Sequence, residues 1–198
     1  MFTPSLLQAL VWTDYRLAVL FTVILPLVLL LWAFVKKSEA IQHLLTIYWK
    51  VASLLAITVY LMIGGFAFSF ISALMARVLI PLSLWFWEDL NEEIDDQQPT
   101  PLKIAFTGWR WAVTIYSVIG GILELFFLRC AFSRTAFSGA DCQTWLAPPL
   151  MYKEYFHAGT TYGFLGFLGI VGLIIYLLCL GYFVFFRLGK QGRTATYQ

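Results

Sequence analysis

Apolar residues do not alternate with polar ones along this chain; they come in long blocks separated by short polar islands. Uncharged runs cover residues 17–35, 51–76, 111–128 and 158–186, the third with Glu124 inside it. A helix needs roughly 20 such residues to cross a hydrocarbon core about 30 Å thick, so each block predicts a transmembrane helix. A fifth run, 78–87, is too short to span, carries Pro81 near its start and ends in Trp85-Phe86-Trp87, which suits the headgroup interface. A helix over 83–97 would put Glu88, Asp89, Glu92, Glu93, Asp95 and Asp96 on one face and Phe86, Trp87, Leu90 and Ile94 on the other. The expected fold class is therefore all-α: a single membrane domain over 1–198 with four transmembrane helices. A short interfacial amphipathic helix lies between the second and third, followed by an acidic loop ending near 101, and a further loop covers 129–157.

Composition agrees with that pattern. The chain is 61% hydrophobic and 12% charged, whereas soluble domains are about 45–50% apolar. A formal charge of +2, spread over scattered basic residues, gives no electrostatic footprint for nucleic acid. Asp14 and Arg16 precede the first long run and no small-residue cleavage site follows it, so that run is expected to stay as an anchor. The Gly64-Gly65 and Gly120-Gly121 pairs occur without the matched interrupted helices of an inverted-repeat transporter.

With four spans, the basic residues divide almost evenly between the two sides and do not orient the chain. The cysteines offer a direction. Cys130 and Cys142 share one stretch of small and turn-forming residues, where a disulfide closes easily and would persist only in an oxidising compartment. That loop is expected outside, which leaves the N- and C-termini and the acidic arm in the cytoplasm.

Several residues inside or beside the spans carry candidate chemistry. Pro26 lacks the amide that would pair with the Thr22 carbonyl and bends the first span. Gly159, Gly163, Gly166, Gly169 and Gly172 form a stripe on the fourth span that admits another backbone, or a flat pigment or quinone ring. Glu124 is an intramembrane carboxylate, by default a functional position. It lies four residues before Leu128, near enough to the boundary to meet water or Arg129; those two are five residues apart on different helix faces, so pairing within the helix would be poor and one contact could be intermolecular. The same spacing resembles a light-harvesting chlorophyll helix, but Phe127 stands where that motif has Asn or His. His43 and His157 fall on one predicted side and could be drawn as a bis-histidine haem. The alternative for both is an ordinary interfacial histidine.

The acidic arm departs from a calcium loop. Asp89, Asn91 and Glu93 imitate its first ligands, but Ile94 replaces the obligatory glycine and Thr100 the final glutamate. Its six carboxylates, of eleven acids in the chain, fit a landing surface for a basic protein segment through charge density. Nucleophile elbows, zinc-binding His pairs and phosphate-cradling glycine loops are absent from the sequence.

The stretches WTDYRLAVLFTVILPLVLLLWAF, WEDLNEEIDD and TPLKIAFTGWRWAVTIYS resemble a family of uncharacterised cyanobacterial integral membrane proteins, classed as a domain of unknown function. The resemblance implies a thylakoid or plasma membrane and supplies no activity. The expected function is non-enzymatic: assisting the assembly of, or docking on, a larger membrane complex, photosynthetic by context, through the acidic arm. The alternatives are a protein binding pigment (chlorophyll or haem), quinone or lipid, then a small transporter or enzyme. Expected partners are membrane lipid and a basic segment of a membrane-complex protein.

Overall fold

The computed structural model describes residues 3–188 and 193–195. The described residues form helices and no strands. Four helices are long and apolar enough to cross a membrane: α1 (Pro4–Lys36), α2 (Glu39–Ile63), then Pro101–Phe127 and Tyr162–Phe186.

The second expected span, 51–76, is two antiparallel halves. α2 stops at Ile63, and the chain returns as α3 (Ser69–Trp85), which packs back along it. Gly65 at φ +71° makes the turn, and the Gly65 and Phe66 amides donate to the Met62 and Leu61 carbonyls, 3.0 and 3.1 Å away. This Schellman closure satisfies the last carbonyls of α2 with no polar side chain. The run 78–87 is accordingly the second half of α3 and not a separate interfacial piece. A bend of 56° at Phe86–Trp87 leads into α4 (Glu88–Asp96), so the helix expected over 83–97 is interrupted.

After Pro99, Thr100 caps α5 (Pro101–Phe127) by accepting from the Lys103 amide. Two single turns follow, α6 (Arg129–Phe132) and α7 (Arg134–Phe137). The expected 129–157 loop is then mostly a 17-residue helix, α8 (Ala140–Phe156), before α9 (Tyr162–Phe186).

The chain thus runs along the helical body five times, through α1, α2, α3, α5 and α9. One end gathers Leu7, Met62, Phe70, Cys130, Cys142 and Trp145 into a core. The other gathers Ala33, Ile41, Leu84, Leu90, Ile94 and Phe106, and there the Glu88 amide donates to the Arg193 carbonyl at 3.1 Å. The start of α1 and residues 193–195 therefore lie at opposite ends of the body. The sequence expectation put both termini on the side of the acidic arm, whereas within the body the start of α1 lies away from α4 and residues 193–195 lie beside it. Lys190, in the basic tail, lies outside the described residues.

Pro26 acts one turn before its own position. α1 widens into a π-helical turn over Val19–Ile24. The Tyr48 hydroxyl donates to the Thr22 carbonyl and the Trp109 indole to the Phe21 carbonyl, both at 2.8 Å. Side chains of α2 and α5 so replace the missing backbone bond, as an apolar surrounding requires.

Candidate functional site

Arg77 interrupts the apolar sequence of α3, and there it is 7% exposed. Its Nε donates to Glu124 Oε1 of α5 at 2.8 Å and its Nη2 to Asp14 Oδ2 of α1 at 2.5 Å. The Tyr116 hydroxyl donates to Asp14 Oδ1 at 3.1 Å, and the guanidinium lies 4.9 Å from the Tyr116 ring centroid. Three long helices are thereby tied at one buried knot. Gly120, one turn from Glu124, makes room for it: a Cβ there would stand 1.9 Å from Arg77 Nη1. Losing one partner of such a knot leaves a buried charge, which costs about 3–5 kcal/mol.

The knot floors a cleft of about 860 Å³. Its walls are Trp12, Tyr15, Val19 and Val23 of α1 and Trp49, Ser53, Ala56 and Tyr60 of α2. α8 covers one end with Pro148, Pro149, Met151 and Tyr152. The cleft exists because α1 meets α2 near their shared turn and then parts from it, with α8 packed on both. Four buried polar atoms of residues bordering it have no hydrogen-bond partner: the acceptor Glu124 Oε2 and the donors Arg77 Nη1, Trp49 Nε1 and Trp145 Nε1. Tyr15 donates to Met62 Sδ at 3.1 Å and to the Trp145 carbonyl at 3.4 Å. A second groove, about 650 Å³ between α3 and α5, shares Arg77 and Ser117 with the cleft, is also bordered by Arg193 and is otherwise apolar.

Of the residues singled out by sequence, the two cysteines meet the expected partner and others do not. Glu124 is paired with Arg77 and not with Arg129, which binds Asp141 at 2.7 Å; Arg129 faces away because Phe127 and Leu128 end the helix between them. Cys130 and Cys142 are joined as a disulfide with their Cα atoms 5.9 Å apart. His157 Nε2 lies 3.1 Å from the Tyr60 hydroxyl, near the far end of α2, whereas His43 is exposed near its start. Seventeen residues of α2 separate positions 43 and 60, about 25 Å at 1.5 Å per residue. The two histidines cannot share one haem.

In the glycine stripe, Gly166 lies against the Gly64 backbone, Gly169 against the Leu61 backbone and Gly172 against the Ile57 side chain, while Gly159 and Gly163 face open space. α9 packs on α2 through the first three, so no ring lies between those backbones. In α4, Leu90 and Ile94 are buried. The chain's own cations engage part of its acidic face: Arg193 stands 3.7 Å from Glu88 and Arg110 3.9 Å from Asp95. Asp89 accepts from the Ala195 amide. Glu92, Glu93 and Asp96 are exposed, and among the described residues no cation lies within ion-pair distance of them.

Asp14, Arg77 and Tyr116 were missed by sequence reading. The available signal was the isolation of Arg77 between two apolar runs, which a four-span topology turns into a loop residue.

An all-helical body with four helices fit to span a bilayer defines the class: an integral membrane protein. The chain belongs to the family described as "Protein of unknown function (DUF3177)", whose model matches residues 8–196. No curated protein and no solved structure matches it.

Proposed function

We propose that this protein binds a membrane-resident amphiphile, a lipid, quinone or pigment tail with a polar head, in the cleft between α1 and α2. The observation that carries the reading is an apolar and aromatic cleft of about 860 Å³ floored by a buried ionic knot. Clefts of roughly 300–1,000 Å³ with few polar groups among apolar walls are typical of small-molecule sites. The parting of the two helices gives a side entrance for a molecule already dissolved in the bilayer, and the knot gives its head a fixed polar end. The Ala56→Trp variant should fill the cleft from an exposed wall position. Apolar molecules extracted from the purified protein and counted by mass spectrometry should fall several-fold in that variant with the thermal midpoint unchanged. Equal recovery from both proteins would sink the reading.

A second reading concerns α4. The outward row Glu92, Glu93 and Asp96 supports docking of a basic segment of a larger membrane complex, and the cyanobacterial resemblance makes a photosynthetic complex the natural candidate. In that arrangement α4 lies at the membrane interface on the cytoplasmic side.

A further inference from the structure

The head group that the cleft accepts follows from the charge and valence of its floor, on the reading that the cleft binds an amphiphile. Asp14 and Glu124 bring two carboxylates to one guanidinium, so the ionised knot carries one net negative charge inside an apolar body. Two donors of Arg77, Nε and Nη2, hold the two acids, while Nη1 packs against Gly120 without a hydrogen-bond partner. Both Asp14 oxygens are occupied, one by Arg77 and one by the Tyr116 hydroxyl. Of the four carboxylate oxygens, Glu124 Oε2 accepts nothing. It belongs to a side chain that is 8% exposed and borders the cleft. Arg16 reaches the cleft only from an exposed position outside the knot.

An anionic head would meet the excess negative charge, and an apolar end would leave Oε2 unpaired. A cationic donor would satisfy both the charge and the open acceptor. The walls agree, because Trp12, Tyr15, Trp49 and Trp145 line the same space and aromatic ring faces attract cations. We infer that the cleft takes an amphiphile with an ammonium head, and that Glu124 Oε2 is its counter-ion. The same chemistry has two sources, the head of an aminophospholipid and a free long-chain amine.

The test uses the full chain in neutral maltoside micelles and three probes with one tail: dodecylammonium, dodecanol and dodecyl sulfate. Bound probe is counted by native mass spectrometry. The wild type should bind dodecylammonium about tenfold more tightly than either other probe, the factor supplied by roughly one charge-assisted contact. Glu124→Gln should bring dodecylammonium down to the level of dodecanol while dodecanol binding persists. A wild type that takes dodecanol or dodecyl sulfate as tightly as dodecylammonium overturns the inference, and this series needs no variant that folds. So does a preference that survives in Glu124→Gln. If none of the three probes binds the wild type above Ala56→Trp, the cleft reading itself fails. Displacement of dodecylammonium by phosphatidylethanolamine, but not by phosphatidylglycerol, supports the inference with a lipid head as source; no displacement by either supports it with a free amine.

Discussion

Three glycines of α5 show how much a single position depends on what faces it. A Cβ at Gly120 would stand 1.9 Å from Arg77 Nη1, at Gly121 the nearest atoms are 3.9 Å away, and at Gly108 nothing lies within 4 Å. Gly120→Ala should therefore destabilise the protein by about 1–3 kcal/mol, the usual cost of overpacking. Gly121→Ala should be nearly neutral, and Gly108→Ala should stabilise by roughly 0.5–1 kcal/mol through helix propensity. Thermal midpoints of the three variants in one detergent check the order. Equal effects at 120 and 121 would mean that the knot is not where the fold is tightest.

Among the elements, α4 is the one whose two faces have different tasks. Leu90 and Ile94 anchor it in the core, so its helix is held by burial despite like charges at i,i+4, each mildly unfavourable. Its outward acids act by density if they act on a partner. Exposed charge pairs contribute roughly 0–1 kcal/mol each, so Glu92→Gln, Glu93→Gln or Asp96→Asn alone should hardly change co-purification of a bound complex. The triple variant should release it, and so should about 1 M salt, where the screening length falls to about 3 Å. A triple variant that keeps every partner at low salt would reduce the row to a solvated face. α4 and the α2–α3 turn also differ in legibility. The acid-rich face was readable because periodicity and charge coincide there. The turn at Gly64-Gly65 was hidden, because a Schellman closure among apolar helices leaves no polar residue in the sequence.

At the scale of the molecule, counting the bent pair α3 and α4 as a fifth span would change the orientation argument. The end holding the α1–α2 turn and α4 also has Lys36, Lys37, Lys103 and Arg193; the disulfide end has Arg129, Arg134 and Lys153. On that count the positive-inside bias and the disulfide would agree, and the orientation to test has the disulfide end outside. In a Cys179→Ala background, Ser5→Cys and Gln98→Cys should react with an impermeant thiol reagent from opposite faces. The first should share its face with Cys130 and Cys142, which label only after reduction. Labelling of both new thiols from one face would restore an even number of passes.

Hydropathy alone determined that the chain is helical, that it belongs in a bilayer, and where most of its helices lie, because transfer into lipid is a property of each stretch by itself. The carboxylate of Glu124 was visible in the same way, as a costly charge in an apolar run. Its partner was not. Arg77 stands 47 residues from Glu124 and 63 from Asp14, and a lone cation between apolar runs reads equally as a boundary or as half of a buried pair. Only the folding back of α3 between α1 and α5 decided that Arg77 is inside, and only the parting of α1 from α2 opened the cleft above it. Both depend on which helices become neighbours, and neighbours distant in sequence leave no periodic trace in it.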